Sequence, residues 1–371
     1  MSRHIRHYLG AFLVMILASL SISTVRAEPR EVVDVLGRTV TIPSPAKRVV
    51  LGFNFEDYMA VGGEAAFDSV VGISKGAWVK KVPAIWALYT AKRPGLETLA
   101  DVGEVEAQNF SIEKVLSLQP DLVVLAAWQF QGLGDEVARL EQLGIPVLVI
   151  DYNAQTLERH VASTLLLGVV TGQEQRAREL ADLYTDAVND VNARVASAQK
   201  PRPRVYLEFG NLGPSQYSFT YGKNMWGAMA TAAGGDNIAA PYVEWWGPIN
   251  PEQVLVAKPE VIVISGREDN SNPTAMLMGP GVEPSEARKR LAAFANRSGW
   301  SQLPAVKDGR LYGVYQNASR TLSDFAMLQF IAKQLYPEQF ADIDPVANYL
   351  DFYRTYLPIA PTGTFAIGLT D

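Results

Sequence analysis

Two stretches of this chain repeat each other, and the repeat limits the folds open to it. Residues 111–125 read SIEKVLSLQPDLVVL, and residues 250–264 read NPEQVLVAKPEVIVI. Aligned without gaps, Glu113 falls on Glu252, Val115 on Val254, Leu116 on Leu255, Pro120 on Pro259 and Val124 on Val263. Asp121 faces Glu260, and both copies close on an apolar run. Each copy predicts a short helix opened by a polar cap, stopped before a proline and followed by a buried strand. The surroundings repeat too: RVVLGFN at 48–54 matches RVYLEFG at 204–210 at four of seven positions. The pattern implies two related α/β lobes.

The rest of the chain fits that plan. Residues 33–40 alternate around Leu36-Gly37-Arg38 and predict a hairpin. Strands are expected at 48–54, 70–73, 121–127 and 146–150, with helices at 55–61 and 135–143. This alternation argues for parallel sheets covered on both faces. Residues 74–109 are expected to be mostly irregular. From Leu157 the pattern turns helical, and residues 174–198 place apolar side chains three and four apart. At a rise of ~1.5 Å per residue that helix would run roughly 37 Å, which suits a spar between lobes. Residues 229–235 lead into a Gly-Gly pair as residues 59–63 do, second-lobe helices are expected at 285–294 and 323–335, and strands at 204–210 and 310–315. The tail from Pro358 has no assigned place. The domain expectation is a signal peptide over 1–27, an N-terminal lobe over 28–153, a helical linker region over 154–203 and a C-terminal lobe over 204–371.

Composition excludes several functions. The first 27 residues join a basic start (Arg3, Arg6), an apolar run from Leu9 to Leu20 and a Val25-Arg26-Ala27 cleavage pattern. This is expected to be a secretory signal peptide. The chain has no cysteine, which removes disulfides, thiolate metal sites and the cysteine of a lipid-anchored lipoprotein. The expected location is therefore the periplasm, as a soluble monomer. Residues 1–27 hold three arginines and no acid, so the net charge of −6 becomes −9 on their removal. A chain so acidic is a poor nucleic-acid binder. His160 is the one histidine beyond residue 27, so a Ser/His/Asp triad has little to work with. No HExxH, Walker loop or GxGxxG is present. The chain is expected to be neither an enzyme nor dependent on a cofactor.

Ligands of open α/β sheets sit beyond the carboxyl ends of the strands. In the first lobe that rule selects Trp78, Lys80, Lys81, Trp86, Tyr89, Arg93 and Trp128. In the second it selects Tyr217, Tyr221, Lys223, Trp245, Trp246, Arg267 and Arg320. The set is aromatic and cationic although the protein is acidic. Such a lining suits an anionic ligand with a flat or greasy face. For each aromatic, packing in the core or at the rim is an equal alternative. In the Trp245-Trp246 pair, one ring facing the cleft and both packed under a loop are both open. Tyr217 or Tyr221 could serve as a phenolate if haem or bare ferric ion were bound. Glu113 and Glu252 each suit the start of a helix, worth ~0.3–1 kcal/mol. Two acids at matching places would also suit a basic partner with two-fold symmetry.

Several stretches together carry a family resemblance: VVDVLGRTVTIPSPAKRVV, the two repeats, AAGGDNIA, and WSQLPAVKDGRLYGV at 300–314. Across nearly the whole chain beyond residue 27 it resembles the periplasmic binding proteins for ferric siderophores, haem and cobalamin, which serve ABC importers. The resemblance implies two α/β lobes joined by one long helix, with limited closure. It also implies that Glu113 and Glu252 engage arginines on the two permease subunits of an inner-membrane importer. It leaves the ligand residues unassigned. The expected function is capture of a ferric siderophore for import, with a haem or cobalamin carrier as alternative. A secreted α/β hydrolase is the rival from another class.

Overall fold

A computed structural model describes residues 28–268 and 271–369. The expected signal peptide lies outside the described residues. An antiparallel hairpin of β1 (Glu28–Val33) and β2 (Thr39–Ser44) comes first, as the alternation predicts. The first lobe then runs β3 (Val49–Leu51), α1 (Phe55–Ala66), β4 (Val70–Ile73), α2 (Lys75–Lys81), α3 (Pro83–Lys92), β5 (Ala100–Asp101) and α4 (Ile112–Ser117). It closes with β6 (Leu122–Ala126), α5 (Ala127–Leu133), α6 (Asp135–Gln142) and β7 (Val147–Ile150). Five strands form a parallel sheet in the order β5-β4-β3-β6-β7.

Two helices, α7 (Leu157–Thr171) and α8 (Glu174–Ser197), lead to the second lobe. The 24 residues of α8 span about 36 Å. Its buried stripe is Ala177, Leu180, Ala181, Tyr184 and Val191, matching the spacing seen in sequence. The second lobe comprises β8 (Arg204–Phe209), β9 (Thr220–Tyr221), α9 (Met225–Ala232), β10 (Asp236–Asn237), β11 (Trp246–Gly247), α10 (Pro251–Ala257) and β12 (Val261–Gly266). It continues through β13 (Gly279–Pro280), α11 (Pro284–Ala295), α12 (Pro304–Lys307), β14 (Leu311–Tyr315), α13 (Phe325–Leu335), α14 (Pro345–Tyr356), β15 (Gly363–Thr364) and β16 (Ala366–Gly368). Strands β8, β12 and β14 are parallel neighbours, as β3, β6 and β7 are in the first lobe. Strands β6 and β12 are buried along their whole length. The fold is thus two Rossmann-like α/β lobes joined through a long helix.

The repeat extends to hydrogen bonds. The Ser111 hydroxyl caps α4 by accepting from the Lys114 N–H at 3.1 Å, and the Asn250 side chain caps α10 by accepting from the Glu252 N–H at 2.9 Å. Gln119 and Lys258, each before its proline, both take left-handed backbone angles, φ 47° and 50°. Asp121 then accepts from the backbone N–H groups of Lys47 and Arg48, and Glu260 accepts from that of Arg204. Arg48 and Arg204 in turn donate to carbonyls at the end of the repeat helix, including those of Gln119 and Lys258. Each clamp ties the start of one strand to the start of its neighbour, so the matched residues set strand register in both lobes.

Two expectations are corrected. Residues 74–109 are not mostly irregular: α2, α3 and a 3₁₀ turn at Pro94–Thr98 occupy much of the stretch. Val82, Ile85, Trp86 and Tyr89 are buried there, and Pro83 starts α3 without wasting a backbone donor. The helix expected to end at Gly62 runs on to Ala66, with Gly63 at φ 74° dividing it. The stretch that leads into Gly234-Gly235 lies in and just after a helix that begins at Met225. The unplaced tail has a place: β16 adds an antiparallel edge to β14, and Phe365 packs on Tyr315 and Tyr349.

Candidate functional site

The carboxyl ends of the two sheets face one cavity of about 520 Å³. The loop after β3 supplies Phe53 and Asn54 and the first turn of α1 supplies Glu56 and Asp57, joined by Trp78 and Lys81 of α2, Glu106, and Trp128 of α5. The second lobe supplies Phe209 and Phe219, Tyr221, Trp245, Trp246, Arg267, Gln316, Asn317 and Arg320. Rings meet edge to face on both sides, Phe53 with Trp128 at 5.5 Å and Phe219 with Trp246 at 4.7 Å. A space of this size and lining suits a small molecule with apolar surface.

Arg267 and Arg320 dominate the electrostatics. Each guanidinium sits 5.0 Å over a ring, Arg267 on Phe209 and Arg320 on Phe53. The Nε of each is buried and has no hydrogen-bond partner among the described residues. Burial, and then the neighbouring Arg267 charge, press Arg320 down to about 10. Arg320 also has φ 68°, a conformation that costs a non-glycine residue on the order of 1–3 kcal/mol. The turn is held against that cost. Asp324 accepts from the N–H groups of Arg320 at 3.0 Å and Thr321 at 3.2 Å. His160 Nε2 lies 3.2 Å from the same carboxylate, and the Tyr184 hydroxyl donates to its other oxygen at 3.0 Å. From the first lobe, Asp57 Oδ1 accepts from the Thr321 hydroxyl and the Leu322 N–H, both at 2.8 Å. The buried His160 is therefore a packing residue in a brace between the linker helices and the second lobe.

The structure brings eight of the fourteen selected residues together: Trp78, Lys81, Trp128, Tyr221, Trp245, Trp246, Arg267 and Arg320. Both tryptophans of the pair reach the cavity rim, 42% and 47% exposed, so neither packs under the loop. Lys81 is partly neutralised by Glu104 at 3.1 Å and Glu106 at 2.6 Å. Burial alone would raise Glu106, but the Lys81 ammonium holds it below its ordinary value.

The other six lie elsewhere. Lys80 points to solvent from α2. Trp86 and Tyr89 are buried against Phe55 in the first-lobe core. Arg93 is paired with Asp68 and donates to the Glu64 carbonyl. Lys223 is paired with Glu244 at 2.6 Å on the surface. Tyr217 accepts from Trp300 Nε1 at 2.7 Å and lies under the Arg297 guanidinium, 4.2 Å from its ring. Tyr221 faces the cavity, but its hydroxyl donates to Gln316 at 2.8 Å and burial raises its pKa. Neither tyrosine is thus poised as a phenolate for a metal. Among the described residues no group of three or more His, Asp or Glu side chains is arranged to hold a metal ion.

The sequence reading missed Phe53, Asn54, Glu56 and Phe219. The first three directly follow the carboxyl end of β3, so the rule that selected the others also reaches them. Glu56 is pushed up to about 7, first by burial and also by the Asp57 and Glu268 carboxylates, against opposing hydrogen bonds from Tyr89 and Tyr353.

Residues 65–318 match the sequence model of a family described as periplasmic binding protein. Among solved structures, a TroA-like periplasmic binding protein, FepB, from Veillonella parvula superposes with a TM-score of 0.85 at 34% identity, covering 92% of this chain and all of that one. The molybdate-binding protein MolA of Haemophilus influenzae is 26% identical over 92% of this chain and 95% of its own. A vitamin B12-binding protein of Salmonella typhimurium is 32% identical over 43% of this chain, a match that spans 57% of that protein. Among the described residues no helix is long and apolar enough to cross a membrane.

Proposed function

The chain belongs to the periplasmic binding protein family, a family of transport components and not of enzymes, and from that premise we propose that it captures a ferric siderophore. The observation that carries the reading is a pair of half-buried arginines, whose Nε–H groups are buried and unpartnered, in an aromatic-lined cavity. An anionic chelate answers both features: its charge offsets the two guanidiniums, and its apolar faces cover Trp78, Trp128, Trp245 and Trp246. The lobes, residues 28–153 and 204–371, close on the chelate by a small movement about the 154–203 linker. A secretory leader sends the chain to the periplasm, where it works as a monomer.

Delivery follows by docking on an inner-membrane ABC permease dimer. Glu113 and Glu252 open the equivalent helices α4 and α10, and both are exposed. Glu113 is 74% exposed, with Arg139 3.5 Å away as a loose neighbour. The double charge reversal Glu113→Arg/Glu252→Arg is expected to abolish uptake while leaving ligand affinity unchanged. Normal uptake by that variant would remove the docking role.

A cobalamin is the second reading, favoured by the partial match to the vitamin B12-binding relative and by the rings available to a corrin face. Native mass spectrometry with a visible spectrum, on protein purified from its own periplasm, tests both. A bound ferric chelate supports the first reading. Retained cobalamin, or affinity for cyanocobalamin above that for a panel of ferric siderophores, replaces it.

A further inference from the structure

We propose that the first-lobe end of the cleft is a second subsite, in which Asn54 and Glu56 receive a cationic or hydrogen-bond-donating group of the cargo. The inference rests on the binding-protein reading and adds a requirement to it: the cargo is bipolar, anionic or accepting at the arginine pole and donating at the other.

Asn54 is 7% exposed and lines the cavity. Its Nδ2 donates to Asp57 Oδ2 at 2.9 Å, and that bond settles which way the amide faces, because a flip would set oxygen against oxygen. Oδ1 is left as a buried acceptor without a partner among the described residues. A buried acceptor left unpaired costs about 1–3 kcal/mol, so a donor at this spot is stabilising. Asp57 has less acceptor capacity left, with three of about four lone-pair positions taken. Its Oδ1 is engaged by Thr321 and Leu322, and its Oδ2 by Asn54.

Glu56 has acceptor capacity to spare. The Tyr89 hydroxyl donates to Oε1 at 2.9 Å, and the Tyr353 hydroxyl lies 3.1 Å from both oxygens. Two hydroxyl hydrogens serve a group that offers about four lone-pair positions. The charges around it have one sign: Asp57 and Glu268 both disfavour its ionisation, and no cation figures among its main influences. At the other pole Arg320 is pressed down by burial and by Arg267, with only Tyr221 and Glu106 opposing. One cavity therefore holds a cationic pole and a pole of hydrogen-bond acceptors. A cargo with negative charge alone would satisfy the arginines and leave the acceptors of Asn54 and Glu56 unanswered. A cargo that also carries an ammonium, amide N–H or hydroxyl would satisfy both.

The test is an NMR titration of the chain from residue 28 onward with two separate probes, ethylammonium and acetate. Ethylammonium is expected to shift the Asn54 side-chain amide and the backbone amides of 54–57, with binding roughly tenfold weaker in Glu56→Gln, the loss of one charge-assisted contact. Acetate is expected to shift the Nε–H signals of Arg267 and Arg320 equally in both proteins. Spectra of the free variant show whether it is folded, and Asn54→Ser, which keeps Glu56, serves as a second variant expected to weaken ethylammonium. Ethylammonium that leaves 54–57 unmoved, or that binds both variants as it binds the parent, overturns the subsite. Acetate that leaves the arginine signals unmoved tells instead against the anion reading of the cleft.

Discussion

The second lobe withdraws arginines from solvent in two places, fully at Arg297 and partly at Arg267 and Arg320, and it uses them differently. Beside β8, Arg297 donates to both carboxylate oxygens of Glu208, at 2.6 and 2.9 Å, and to the carbonyls of Pro214, Gly213 and Gln216. Its guanidinium also lies over Tyr217 and Trp300. Every part of that cation is spent inside the protein. Arg267 and Arg320, at the cleft, rest on rings but leave their Nε–H groups unanswered. A buried cation with a full set of partners is scaffold, whereas on the proposed function the half-buried cations at the cleft are left for a ligand. The acids divide the same way: Glu208 is matched to Arg297, while Glu56 has only hydroxyl donors.

The contrast can be broken most forcefully at Arg297. Arg297→Ala leaves Glu208 charged and buried, and is expected to cost about 3–5 kcal/mol in urea or thermal unfolding. A smaller loss than at the cleft arginines would dissolve the distinction. Next comes pH. Glu56 and Glu268 both stand at about 7 against an ordinary 4.5, raised by burial in each case. Between those values the folded chain holds protons that the unfolded chain has lost, so stability falls as pH rises from about 4.5 to 7. Each acid contributes at most about 3 kcal/mol. Glu56→Gln and Glu268→Gln are expected to flatten the melting-temperature profile across that window, and an unchanged slope would remove these two groups from it.

Arg320→Ala and Arg267→Ala sharpen the comparison from the other side. Each is expected to weaken an anionic ferric chelate by roughly 10–100-fold in calorimetric titration. Each should leave stability level or raised, since it relieves a like-charge pair. Equal affinity would end the anion-binding role of that residue. The smallest effect is expected at Lys81. Its charge is spent on Glu104 and Glu106, so Lys81→Ala should change affinity by less than about threefold. A larger loss would show that the ligand breaks those pairs. Lys80 and Arg93 should not matter for binding.

Much of the scaffold was legible in residue order. Helix caps at Ser111 and Asn250, the prolines that follow, the buried β6 and β12, and the stripe on α8 all rest on neighbours within a few positions or on a period of 3.6. The 74–92 segment was harder, because its aromatic and basic residues share short helices whose rotation is set by packing on Phe55. That rotation sends Trp78 and Lys81 to the cleft, Trp86 and Tyr89 to the core and Lys80 to solvent.

The repeat itself is the clearest case of what residue order settles. Its matched caps, prolines and acids make local or strand-to-strand contacts, so two copies of one pattern build two copies of one scaffold. The cleft is a different matter. Tyr217 and Arg320 look alike as candidates in the sequence, yet one lies beneath Arg297 and the other projects into the cavity on a turn braced by Asp57, 264 positions away from Thr321. Whether a cation is paired depends on partners that distant in the chain, and only the packed lobes bring them within reach.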